Sequence, residues 1–75
     1  NTETLLHGSV GIDTTPDASA ILHTSSTTKG FLPPVMTTLQ KDAITSPATG
    51  LVIFDSDLAK ICIYTGLAWE TVTSA

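Results

Sequence analysis

The sequence predicts a mainly β protein with one short helix, built around a small antiparallel β-hairpin. Three observations lead to this fold class. Two β-favouring runs, at residues 51–55 and 60–65, flank a short polar loop. A capping pattern at residues 37–40 predicts the start of a helix. The rest of the sequence is rich in Ser and Thr, which favour strands and turns over helices.

The chain is short and its surface is unusually apolar for a soluble monomer. Its 75 residues are 41% hydrophobic and only 13% charged, and a folded domain of this size buries only about 60% of the surface of its unfolded chain. Small domains recover the missing stability from disulfides, a structural metal or oligomerisation. Because Cys62 is the single cysteine and there is no paired Cys and His pattern, self-association is the favoured route.

Charge and hydropathy exclude two classes of partner. The formal charge is −4, with three lysines and no arginine, so we expect no nucleic-acid binding, which requires clustered cations. The longest apolar runs have four residues, whereas a bilayer span requires about 20, so we expect no membrane insertion. The chain lacks a signal peptide and an initiator Met, which suggests a fragment of something longer.

The N-terminal part is predicted to be irregular. Gly8, Gly11 and Pro16 interrupt short apolar pairs, so residues 1–17 are expected to form an extended connector. The β-rich module then occupies residues 18–75 and begins with a strand over residues 18–24.

An apolar stretch at residues 31–36 precedes the predicted helix. Its Pro33 and Pro34 exclude a helix or a central strand at that point. We therefore expect this stretch to be an extended arm that lies over one face of the hairpin.

The helix is expected at about residues 38–45. Thr37 and Gln40 have the spacing of a capping box, in which the hydroxyl accepts from an early amide and the glutamine returns to the cap. Leu39 and Ala43 would share its buried face. A helix this short requires packing to persist in water.

The hairpin is expected at about residues 51–65. Pairing Asp55 with Lys60 closes a four-residue loop and fixes the register of both strands. The pairs that follow are Phe54 with Ile61, Ile53 with Cys62, Val52 with Ile63, and Leu51 with Tyr64. Gly66 then permits a turn into a third short strand at about residues 68–72.

Both faces of this hairpin are apolar, because side chains alternate between the faces of a strand. One face carries Val52, Phe54, Ile61 and Ile63, and the other carries Leu51, Ile53, Cys62 and Tyr64. The arm at residues 31–36 is expected to cover one face and a second copy of the chain the other.

Residues 8–72 resemble a segment of fibre proteins of tailed bacteriophages and of related viral and bacterial-surface fibres. That family has approximately a "GxVGIGTTxP" connector, a "SAxLxVxSTTKGFLPPRMT" segment, a "QRDAI" helix, a "PxxGLxVYxT" strand and a closing "YxGxxW". The matching residues are Gly30, Pro33, Pro34, Met36, Thr37, Asp42, Ala43, Ile44, Pro47, Gly50, Leu51, Tyr64, Gly66 and Trp69. The sequence departs from the pattern at Val35, where Arg is common, and at Asp13, where Gly is frequent.

The resemblance implies an intertwined homotrimer that serves as a structural trimerisation, linker or cap module of a phage-type fibre. It would lie on the virion surface and support host attachment, with other copies, the rest of the fibre chain and the virion as partners. The expected trimer interface and core comprises Phe31, Leu32, Met36, Leu51, Val52, Ile53, Phe54, Ile61 and Ile63. The alternative function is a carbohydrate-binding adhesin tip of a viral or bacterial-surface fibre. Tyr64 and Trp69 would then contact cell-surface glycan, although sealing the end of the hairpin is the favoured role for Trp69.

Catalytic and metal chemistry has little support in the sequence. No nucleophile motif or Cys–His signature is present, so we expect no enzymatic activity and no cofactor. His23 is the better of two histidine candidates for a metal site on a three-fold axis, and the alternative is a solvated or packed side chain. The Asp55-Ser56-Asp57 run has calcium-like spacing but lacks the further oxygen ligands, which favours a turn.

Overall fold

A computed structural model describes residues 7–73 of the chain. The elements, in chain order, are β1 (Val10–Ile12), β2 (Leu22–Thr24), β3 (Val35–Met36), α1 (Thr38–Asp42), β4 (Val52–Asp55), β5 (Lys60–Tyr64) and β6 (Trp69–Thr71). Across these residues the protein is therefore mainly β with one short helix, which confirms the predicted fold class. The described residues contain no helix with the length and hydrophobicity that crossing a bilayer requires.

The chain divides between Phe31 and Leu32 into two compact units. In the first unit β1 and β2 pair in parallel, with Val10 opposite Leu22. Residues 10–12 of the expected connector are therefore a paired strand. The sequence did not predict this pairing, because each residue's partner lies twelve positions further along the chain and local Gly and Pro residues give no information about it. The predicted division into a connector and a module after residue 17 stays a prediction. The compact units are defined by contacts within the chain, and these do not show where a functional module begins.

The second unit is a four-stranded sheet in the order β3-β4-β5-β6. β4 and β5 form the predicted antiparallel hairpin, with Asp55 opposite Lys60 and Val52 opposite Ile63, which confirms the predicted register. β6 continues the antiparallel order, and β3 joins the other edge in parallel to β4. Ala59 in the loop has a φ of 56°, a left-handed conformation that closes the four-residue connection.

The two faces of this sheet have different environments. Ile53, Asp55 and Cys62 lie on one face and are buried, where α1 packs against β4. We call this the covered face. The opposite face, called the open face below, carries side chains that the described chain leaves partly exposed. Its apolar members are Val35, Val52, Phe54, Ile61, Ile63 and Val72.

The start of the arm at residues 31–36 does not cover a face of the hairpin, contrary to the prediction. Phe31 and Leu32 are 71% and 81% exposed. The end of the arm instead becomes the edge strand β3, where the Pro34 carbonyl accepts from the amide of Phe54 at 2.9 Å. Proline lacks an amide proton but keeps its acceptor, so a Pro pair is compatible with an edge strand.

The helix is shorter than predicted and buries a different side chain. It ends at Asp42, and the amide of Ile44 bonds the carbonyl of Lys41, a tight closing turn of the kind that ends helices. Leu39, expected on the buried face, is 80% exposed, whereas Lys41 is buried. The prediction that Leu39 faces the sheet was wrong because Lys41 has a charged partner there, Asp55. The periodicity of apolar residues within the helix does not reveal a partner on another element. The capping box of Thr37 is present as predicted.

Candidate functional site

A buried ion pair fastens the helix to the covered face of the sheet. Nζ of Lys41 lies 3.1 Å from Oδ2 of Asp55, and the hydroxyl of Thr38 donates to the same oxygen at 2.7 Å. The backbone amides of Asp57 and Leu58 donate to Oδ1 at 2.9 and 3.1 Å. Both oxygens of this carboxylate therefore have two donors each, which satisfies a buried charge.

These contacts hold both groups in their charged forms. Burial by itself raises the pKa of Asp55, but the hydrogen bonds from Thr38, Leu58, Lys41 and Asp57 outweigh burial, so the pKa lies below its usual value. Burial also opposes the charge of Lys41, but the hydrogen bond to Asp55 and neighbouring negative charge raise its pKa.

The ion pair therefore has a structural role. Because donors within the chain occupy both oxygens of Asp55, this carboxylate is not available as a calcium ligand or as a general base. The Asp55-Ser56-Asp57 run spans the end of β4 and the start of the hairpin loop, and the side chain of Asp55 accepts hydrogen bonds from the loop amides.

The two candidate glycan residues pack against each other. The rings of Tyr64 and Trp69 have centroids 5.3 Å apart in an edge-to-face arrangement, and Nζ of Lys41 lies 5.9 Å from the ring centroid of Trp69. Both aromatic side chains are half-buried. This geometry gives Trp69 a packing role beside the ion pair and leaves only part of each ring in contact with solvent.

The histidine candidate for a metal site takes part in a turn. Nδ1 of His23 accepts a hydrogen bond from the backbone amide of Asp17 at 3.0 Å. In a neutral imidazole this bond places the proton on Nε2, which is then a donor and not a metal ligand. Within residues 7–73 there is no cluster of three or more His, Cys, Asp or Glu side chains arranged to hold a metal ion.

The open face brings together four of the residues predicted for the trimer interface, namely Val52, Phe54, Ile61 and Ile63. Three of them are between 37% and 38% exposed and Phe54 is half-buried. A shallow depression at one end is lined by Phe54, Ile61 and Val72, among others. An apolar sheet face that the described chain leaves partly exposed is a candidate interaction surface.

The other predicted interface residues are placed differently. Ile53 lies on the covered face and is buried within the chain, Met36 and Leu51 are half-buried, and Phe31 and Leu32 are exposed. The sheet also adds two residues that the sequence interpretation missed. Val35 lies on the open face as part of β3, and Val72 lies there directly after β6, where its amide bonds the carbonyl of Ile61. For Val72 the signal in the sequence was the alternation of side chains along residues 69–72.

Comparison with known proteins identifies a protein family. Neither the curated proteins nor the solved structures yielded a match. A family model described as a phage tail-like trimerisation region matches residues 9–75, a span that includes most of the first compact unit, the whole of the second and every residue of the open face. The chain therefore belongs to the phage tail-like trimerisation region family.

Proposed function

We propose that this chain is a structural module that assembles as a homotrimer within a phage tail-like fibre. The observation that carries the proposal is the open face of the four-stranded sheet. Its six apolar side chains are left partly exposed by the described chain, while the opposite face is closed by α1 and the Lys41–Asp55 pair. The family match supports three copies as the stoichiometry.

Identical copies are the best-suited cover for the open face. Apolar area removed from water stabilises an assembly by about 25 cal/mol per Å², and a face made of Val, Ile and Phe has no charge that would select an oppositely charged partner. Glu70, opposite Ile63, lies on the same side but at the edge strand, where it remains exposed. Folding and assembly are then coupled, since the open face is stable in water only when other copies cover it.

The predicted interface residues contribute in different ways to this trimer. Val52, Phe54, Ile61 and Ile63 would form the direct contact, with Val35 and Val72 at its margins. Phe31 and Leu32 are exposed and available to another copy. Ile53 would support the interface from beneath, because it packs inside each chain.

The role of the module in the fibre is mechanical. The match to a trimerisation region supports a structural role over an enzymatic one. We propose that it links or caps the fibre on the virion surface and supports host attachment by holding three chains in register, with the rest of the fibre chain and the virion as partners.

Sedimentation equilibrium tests the proposal. At micromolar concentration we expect a mass three times the 7.8 kDa of one chain, and a melting temperature that rises with protein concentration because dissociation accompanies unfolding. A folded species with the mass of one chain, and a melting temperature independent of concentration, would contradict the proposed function.

Direct glycan binding through Tyr64 and Trp69 is the alternative function. The partial exposure of both rings is the observation that favours it. Titration with galactose, glucose and N-acetylglucosamine, followed by the indole N–H resonance of Trp69, tests this alternative. A resonance that does not move at saturating sugar supports the packing role, which the edge-to-face contact with Tyr64 already favours.

A further inference from the structure

The parallel pair of strands β1 and β2, called the ribbon below, has one side that its own chain closes. Gly11 and His23 are opposite each other on that side. A Cβ added at Gly11 would lie 2.1 Å from the carbonyl oxygen of Thr14 and 2.9 Å from Cδ of Pro16. The amide of Asp17 donates to His23 at 3.0 Å. The turn that follows β1 therefore folds back over this side.

The other side of the ribbon is apolar and open. Val10, Ile12, Leu22 and Thr24 lie on it, and Ile12 and Leu22 are 54% and 53% exposed. Parallel strands occur almost only where both faces of the sheet are covered, and an isolated two-stranded ribbon is at best marginally stable in water. Strands of three residues add few hydrogen bonds to offset this.

The composition of the open ribbon side points to another copy of the chain as its cover. The four residues on this side include no charged group that would bind an ion and no aromatic ring on which a sugar would stack. The matched trimerisation region begins at residue 9, one residue before β1, so it includes the whole ribbon. In a closed trimer a ribbon side that faces the three-fold axis meets the same side of the other two copies.

We infer that the open ribbon side is a second self-association surface, covered by the same side of the other two copies. The ribbon is then stably paired only in the trimer. This inference rests on the proposed function for the existence of a trimer, but it concerns residues that lie outside the open face of the sheet.

Amide hydrogen exchange on the full chain, followed by NMR, tests the inference. The amide of Val10 bonds the carbonyl of Ile21 at 2.8 Å, and the amide of Ser25 bonds that of Ile12 at 3.1 Å. Leu22→Asn puts a polar group on the open ribbon side. Ile21→Asn is the matched control. The side chain of Ile21 is 73% exposed, and this residue directly precedes the paired residues of β2.

We expect Leu22→Asn to accelerate exchange at Val10 and Ser25 by roughly tenfold or more, because local opening no longer costs the contact with other copies. Ile21→Asn should leave both rates within about twofold of wild type. The amide of Phe54, bonded to Pro34 in the sheet, reports that the second unit is folded in each variant. Ile12→Asn provides a second substitution on the open ribbon side.

Two outcomes separate this inference from the proposed function. A trimeric wild type in which Leu22→Asn and Ile12→Asn both leave exchange at Val10 and Ser25 unchanged would overturn the second surface alone. A wild-type protein that sediments as a monomer would overturn both proposals. This outcome is measured by the mass in sedimentation equilibrium and does not depend on the amide exchange rates.

Discussion

Placing a carboxylate on the open face should dissolve the trimer. Val52 is suited to this substitution because it is 37% exposed, lies on an interior strand and has Ile63 directly opposite. Burying a whole Val or Ile side chain is worth about 1.5–3 kcal/mol, so covering the remaining third of Val52 contributes on the order of 0.5–1 kcal/mol per chain.

The larger effect of Val52→Glu comes from the charge. An ionised carboxylate that is buried without a partner costs several kcal/mol, so the total loss should reach at least about 3 kcal/mol per chain. Each 1.4 kcal/mol changes an equilibrium constant about tenfold, which predicts that association of each chain weakens by at least roughly a hundredfold.

Sedimentation equilibrium over a range of micromolar concentrations measures this loss. The control is Leu67→Glu, which adds the same charge at a side chain that is 93% exposed in the turn between β5 and β6. We expect the control to remain trimeric. If Val52→Glu sediments as a trimer at the same concentrations as wild type, or if both variants dissociate equally, the open face is not the interface.

Three further predictions concern stability. The pKa of Asp55 is depressed in the folded protein, so its contribution to stability is present above the unfolded value of about 3.9 and is lost as pH falls below it. The melting temperature should therefore drop in acid, and less steeply in Asp55→Asn than in the control Asp13→Asn. Equal slopes would contradict this role. Gly66→Ala should destabilise the protein by more than Gly50→Ala, as measured by thermal unfolding. Both positions have positive φ, which costs a residue with a side chain about 1–2 kcal/mol. Only at Gly66 would the added Cβ also lie 2.7 Å from a neighbouring side-chain oxygen. Thr37→Ala should cost about 1 kcal/mol in denaturant unfolding, because it removes the helix cap, whereas Thr37→Ser should restore most of this.

Local sequence determined the elements whose partners are adjacent in the chain. The register of the hairpin follows from a four-residue loop and period-two alternation, so pairing Asp55 with Lys60 fixes every pair behind it. The helix start at Thr37 likewise depends on residues within one turn. The excess of apolar residues on both hairpin faces was also visible in the sequence, and this excess led to the expectation of self-association.

Tertiary structure decided the features that depend on distant partners. Lys41 is buried because Asp55 lies opposite it on the sheet, and a helical pattern alone favours Leu39 for that position. The arm before Val35 became an edge strand because Pro34 keeps a carbonyl for the amide of Phe54. Parallel pairing of β1 with β2 depends on a turn that closes over Gly11. Alternation fixes which side chains share a face, whereas the packing of elements decides which of the two faces the chain closes for itself.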